Sequence, residues 1–416
     1  MLLSIRIKNY KAFKNEIEMS FMADMRIKRF VSNTIEVNNH NVLKTAGIYG
    51  PNNTGKSCLI EALYSLRLVM LNQNSLEFYN SFYDNHITEF EVVYEINSNI
   101  YRYIVHYDSS NLEYVYEKLE KVINNDYNNF TYEKVFSRSK DKIDINVLNI
   151  NRVPISLLNN KIPIFMMLSL KDTKLEEVQR DYISFANSIK MINMELPIEI
   201  NKTLSLLQKD PKANRFITSF AKNCDLNIQD FGYSSDVVSD VDISKKVSKY
   251  FNDDIAVKEI LKIWSKHHDH VVPSVLFDSV GTRKIIALAG YIYDLITNGG
   301  VLLIDELDSS LHHTIIRAII ALFNNMLNEK AQLVFSTHDA LTMDLRKLFR
   351  KDQIFLTDID KNGDNVLIHL SEKFTARDEN GIRGNEDITE YYLKGRFGGV
   401  PSPDLFDSIY EVLKDE

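Results

Sequence analysis

Residues Gly50–Ser57 read GPNNTGKS, and this octapeptide constrains the fold more tightly than any other stretch of the chain. It matches GxxxxGK[ST], follows the apolar run TAGIY and precedes a helical pattern expected from Lys56 to about Met70. Glycines at such a turn let successive backbone N–H groups curl round phosphate, and the helix N-terminus adds its positive dipole. The expected cradle is Gly50, Asn52, Asn53, Thr54, Gly55, Lys56, Ser57 and Cys58. Lys56 is expected to neutralise β/γ-phosphate charge and the Ser57 hydroxyl to ligate Mg²⁺. The Cys58 side chain reads as a small packing group, not a nucleophile.

Two further segments fit a phosphate site. VLLIDE, Val301–Glu306, is an apolar strand that delivers two carboxylates at its C-terminal end, where parallel sheets bind ligands. Asp305 is expected in the Mg²⁺ shell, and Glu306 is the candidate to orient or deprotonate an attacking water. LVFSTHD ends in Ser336, Thr337 and His338; a neutral imidazole there can donate to a γ-phosphate. ATP and Mg²⁺ are therefore the expected ligands, and the expected activity is ATP hydrolysis.

Composition narrows the class. The 416 residues are 44% hydrophobic and 25% charged, as in folded globular chains. The formal charge of −8 opposes general attraction to nucleic acid, so any such contact must be a local patch. Arg26, Lys28 and Arg29 form the best patch, and a solvated turn is the simpler reading. Cys58 and Cys224 make neither a disulfide framework nor a CxxC pair. The charged start, MLLSIRIKNYKAFK, and the interrupted apolar runs give no leader or membrane span. Cytoplasmic residence is the expectation.

Along the chain, 1–150 reads as an N-terminal lobe with the phosphate loop and an antiparallel meander from Glu89 to about Val147. Residues 151–225 read as a helical insert punctuated by Pro163, Pro197 and Pro211, without a heptad run for a long coiled coil. Residues 226–416 alternate helices and strands as the rest of a doubly wound α/β core with a C-terminal extension. DIDKNGD, from Asp358, imitates a calcium loop, but His369 stands where a bidentate Glu is needed, so a hairpin turn is expected. His267, His268 and His270 read as an extended run that cannot converge on one metal. Tyr94, Tyr101, Tyr103 and Tyr107 read as cross-strand packing rather than a base-stacking platform.

Asp305 follows Ser57 by 248 residues, and this order resembles the ABC/SMC-like heads. FDSVGTRKIIAL, with Ser279 and Gly281, is similar to a degenerate ABC signature, although Ser279 also reads as a plain helix N-cap. Asp308 falls at the D-loop position of such heads, and no Q-loop glutamine is identifiable. The resemblance implies an ABC-ATPase-like head in which Ser279 and Gly281 act in trans, so that a head-to-tail homodimer encloses two ATP molecules. RKLFRKDQIFLTDIDKNG and YYLKGRFGGVP resemble the end of small stand-alone, AAA-labelled bacterial ATPases of AbiL- and PARIS-type abortive-infection pairs. That resemblance implies a sensor or regulator in phage defence with a TOPRIM- or RloB-like effector partner. The alternative is an SMC-like DNA-repair or recombination ATPase that binds duplex DNA.

Overall fold

The computed structural model describes residues 1–126, 129–139, 142–145, 159–167, 174–196, 198–224, 227–243, 255–374, 382, 386–398 and 400. Thr45–Tyr49, Gly300–Asp305 and Ala331–Ser336 are buried at every position. Such strands belong at the centre of a parallel sheet covered on both faces. Across that sheet the order is Ile189–Asn193, Gly300–Asp305, Ala331–Ser336, Thr45–Tyr49, Ile354–Ile359 and Asn365–His369. The first five are parallel, and Asn365–His369 closes the edge as an antiparallel hairpin with its predecessor. DIDKNGD is the turn of that hairpin, as its turn residues predicted.

One segment departs from expectation. The 151–225 stretch supplies helices Lys174–Ser188, Asn201–Lys209 and Pro211–Asn223, but also the core-sheet strand Ile189–Asn193. Its helical periodicity runs on into IKMIN, which disguises the change. Pairing with the acid strand, Ile189 opposite Val301 through Asn193 opposite Asp305, satisfies the backbone and overrides local preference. The expected bounds at Val147 and Pro154, and the punctuating Pro197, lie outside the described residues.

The second large sheet is an antiparallel, seven-stranded one made by Leu2–Lys8, Ile17–Ser20 and five strands between Ile87 and Ile145. Tyr94, Tyr101, Tyr103 and Tyr107 are buried. Tyr94 stacks on Phe185 at 3.9 Å, and Tyr103 meets Tyr182 edge-on at 5.2 Å, so helix Lys174–Ser188 covers the aromatic face. The loop helix Lys56–Met70 shares this core through Leu59, Ile60, Leu63 and Leu66.

Among these apolar groups Glu117 is wholly buried. It accepts from Arg138 Nη2 at 2.6 Å and from the Tyr103 hydroxyl at 3.0 Å. Removing one partner of such a pair leaves an uncompensated buried charge. Arg138→Met should therefore cost about 3–5 kcal/mol of unfolding free energy, as measured by urea titration.

Candidate functional site

The loop is built by two left-handed glycines and a packed wall. Gly50 has φ +149° and Gly55 φ +100°. A Cβ on Gly55 would stand 2.6 Å from the Phe13 ring, and one on Gly50 2.3 Å from the Thr357 hydroxyl. No side chain fits at either turn. Thr54 is buried and bonds Thr357 through their hydroxyls at 2.6 Å, which ties the loop to the neighbouring strand. Asn52 is exposed, and Asn53 (φ +63°) accepts from Asn365 Nδ2 of the edge hairpin at 3.4 Å. Lys56 Nζ folds back on its own loop, donating to the Gly50 carbonyl at 3.0 Å and the Pro51 carbonyl at 2.7 Å. Ser57 opens the helix half-buried, and Cys58 packs against the apolar core with its thiol pushed up by burial, an inert setting.

The acid strand ends beside this loop. Asp305 is buried and accepts from the Ser336 hydroxyl at 2.5 Å. The same hydroxyl oxygen accepts from the Glu306 N–H at 2.8 Å. Glu306 has φ +53°, a left-handed conformation that costs a non-glycine residue about 1–3 kcal/mol. The Leu307 N–H donates to the Ser336 carbonyl at 3.0 Å and fixes the turn beyond. Asp308 accepts from the His338 N–H through both carboxylate oxygens, at 3.2 and 3.3 Å. The phosphate loop, the acid strand end, the D-loop position and the histidine are thus one connected structure.

Electrostatics bind them further. Burial pushes the Lys56 ammonium down, while Glu306, Asp305 and Asp308 pull it back up. Burial raises the Glu306 carboxyl, and the neighbouring Glu195 carboxyl raises it again. Partial desolvation and then the Lys56 charge lower His338, which keeps its imidazole neutral near pH 7.

Glu195 and Asn193 escaped sequence reasoning because strand Ile189–Asn193 did. Asn193 is the register partner of Asp305, and the Met194 N–H donates to the Asp305 carbonyl at 2.9 Å. The only available signal was the pair of β-branched residues, Ile189 and Ile192, shortly before Pro197.

Ser279 caps helix Val280–Asn298, accepting from the Thr282 N–H at 3.1 Å. It is nevertheless exposed, as is Val280 beside it. Gly281 faces the D-loop turn: a Cβ there would lie 2.6 Å from the Ser310 carbonyl oxygen. The histidine run forms a hairpin instead of one extended strand, with His268 at the turn (φ +52°). His267 Nε2 lies 2.6 Å from Asp278 Oδ1, directly before Ser279. Of the basic patch, Arg26 pairs with Asp24 at 2.7 Å and Arg29 Nη2 donates to the Arg346 carbonyl at 2.6 Å, so that turn is engaged within the chain.

A parallel core sheet with a phosphate loop and an acid strand next but one to it has the arrangement of a P-loop ATPase domain. The family described as "AAA domain, putative AbiEii toxin, Type IV TA system" matches residues 46–344, and the chain belongs to it. No curated protein matches the sequence. Among solved structures the chain is similar to the SMC head domain from Thermotoga maritima, at 13% identity and TM-score 0.40, covering 88% of this chain and 98% of that one. It is also similar to an SMC head bound to the C-winged helix domain of ScpA, at 12% identity and TM-score 0.45, covering 89% and 98%. A third is the Smc head with an extended coiled coil bound to the C-terminal domain of ScpA from Pyrococcus furiosus, at 10% identity and TM-score 0.41, covering 88% and 95%. Among the described residues no helix is long and apolar enough to cross a membrane.

Lys56 is the cation nearest the loop carbonyls, and a phosphate bound there exchanges those carbonyl contacts for charge-assisted bonds. Lys56→Ala should weaken ATP binding about 10- to 100-fold by calorimetry, with the melting temperature preserved.

Proposed function

We propose that the chain is a Mg²⁺-dependent ATP hydrolase whose heads close head-to-tail on two ATP molecules, with the closed pair acting as a switch on a partner protein. The observation that carries this reading is the meeting of Lys56, Asp305, Glu306, Asp308 and His338 at one carboxyl edge of the sheet. The donor set suits the ion: a serine hydroxyl and a carboxylate are the hard oxygens Mg²⁺ takes beside phosphate. Ser57 and Asp305 would hold it, and when bound it neutralises charge on the β- and γ-phosphates.

The remaining steps belong to the chain's own residues. Lys56 turns from the loop carbonyls to the phosphates. Glu306 orients a water whose oxygen bonds the γ-phosphorus as the bond to the β,γ-bridging oxygen breaks, and Glu306 takes the proton. His338, neutral and anchored through Asp308, donates to the γ-phosphate and so distinguishes ATP from ADP. The exposed Ser279 and the helix N-terminus behind it cap that phosphate from the twin molecule, since the N-terminal dipole favours anions. Loss of the γ-phosphate removes the charge joining the heads, and the pair opens.

For the biological setting we propose a sensor or regulator in bacterial phage defence that controls a TOPRIM- or RloB-like effector. The family's AbiEii and toxin–antitoxin description supports this setting, as does the tail resemblance around Tyr391–Pro401. In that tail a Cβ on Gly398 would lie 2.2 Å from Asp358 Oδ2, so the segment packs at the end of the strand beside the loop strand. Pro401 lies outside the described residues.

Glu306→Gln should cut turnover about 10²- to 10⁴-fold and trap an ATP-bound dimer on size exclusion with light scattering. Ser279→Arg should keep ATP on a monomer and abolish that dimer. A Glu306→Gln protein that turns over like its parent would remove Glu306 from the mechanism. Because burial and Glu195 both raise the Glu306 carboxyl, the base is lost on acidification earlier than an ordinary glutamate, whose pKa is about 4.3. Glu195→Gln takes away a neighbouring negative charge, so the acid limb of kcat should move to lower pH in a profile from about pH 5 to pH 8.

A further inference from the structure

A cavity of about 520 Å³ opens beside the signature helix. Its walls come from the loop after the edge strand, from Ile260 and Ile263, and from helices Ser274–Phe277 and Val280–Asn298. Small-molecule pockets span about 300–1,000 Å³ and are chiefly apolar with a few placed polar groups. This one fits: Ile198, Ile200, Ile260, Ile263 and Ile286 give a branched aliphatic wall.

Its polar lining is small. Lys284 is buried and already engaged, bonding the Met194 carbonyl with the Ser309 and Ser310 hydroxyls 3.5 and 3.4 Å from its Nζ. Glu195 joins the lining next to Met194. Arg283 makes one hydrogen bond among the described residues, Nη1 to the Val275 carbonyl at 3.3 Å. Its Nε is shielded from water and has no partner among the described residues. A shielded donor left unpaired is costly, and a charged one more so, so the group calls for an acceptor.

The acceptor has to be anionic, to match a guanidinium, and singly charged, because Glu195 in the same lining repels a second negative group. The rest of the molecule has to be hydrocarbon. We propose that this cavity binds a small apolar carboxylic acid, its carboxylate on Arg283 and its aliphatic body against the isoleucine wall. Arg283 and Lys284 stand on the helix capped by Ser279, while Ser309 and Ser310 continue the turn from Asp308. A ligand lodged between them fixes the signature helix relative to the acid strand and so regulates closure of the heads. This second step rests on the ATP-switch reading; the binding itself does not.

The test is calorimetry on the full chain without nucleotide, with octanoate, octan-1-ol and octylamine as probes. Octanoate should bind once per chain, about 10- to 100-fold more tightly than octan-1-ol, the span of one charge-assisted contact. Octylamine should not bind. Arg283→Met should reduce octanoate to the affinity of the alcohol, and Val275→Trp, which narrows the cavity from a half-exposed position, should weaken both. Equal affinity for acid and alcohol, or octanoate binding that survives both substitutions, overturns the site. Octanoate that binds as stated but leaves ATP turnover unchanged overturns the regulatory step alone. A parent protein without turnover at all, yet binding octanoate, faults the hydrolase reading and leaves the site standing.

Discussion

The Ser336 hydroxyl is the joint on which the site depends. It donates to Asp305 and accepts from the Glu306 N–H, so one oxygen fixes both the carboxylate that faces the loop and the backbone of the strained residue after it. This is possible only because Ala331–Ser336 lies between the acid strand and the loop strand in parallel register. A parallel sheet ends all its strands on one side, and side chains from distant parts of the chain meet there without further design. These strands are buried on both faces, and a one-residue slip would part buried polar groups such as Gln332 from the Leu2 and Leu43 carbonyls they bond.

The same edge concentrates unfavourable terms that a purely structural edge would avoid. Three carboxylates act on a buried lysine, Glu306 sits in left-handed backbone, and the Glu195 carboxyl raises that of Glu306. Lys56 meanwhile spends its donors on carbonyls of its own loop, weaker acceptors than phosphate oxygens. Strain and like-charge crowding persist only where surrounding structure over-determines them. Here Ser336, Leu307 and Asp308 do so.

Much of this was legible in the sequence. GPNNTGKS, VLLIDE and STHD each carry a short-range signature, because phosphate binding needs particular residue types at adjacent positions, and all three meet where expected. The hairpin at DIDKNGD and the buried tyrosines follow from equally local rules. Strand Ile189–Asn193 was not legible, since its state is decided by a partner over a hundred residues away and its apolar spacing continues the preceding helix. Glu195 was lost with it. The histidine run misled for the opposite reason: a left-handed His268 makes a turn without the glycine or asparagine that usually announces one.

The signature region shows how a weak motif can still be structurally exact in its demands. VGT lacks the usual glycine pair, yet the one glycine present, Gly281, stands where any side chain would strike the Ser310 carbonyl. Lys284, one turn on, buries its ammonium among the Met194 carbonyl and the hydroxyls of Ser309 and Ser310. The helix is thus held on one side by the loop that carries Glu195 and on the other by the turn that carries Asp308. Movement of either element changes the partners of a buried charge, which low-dielectric surroundings make costly. Coupling between the exposed cap at Ser279 and the acid strand therefore needs no long-range pathway. One lysine and one glycine, a turn apart at the start of a single helix, already touch both elements.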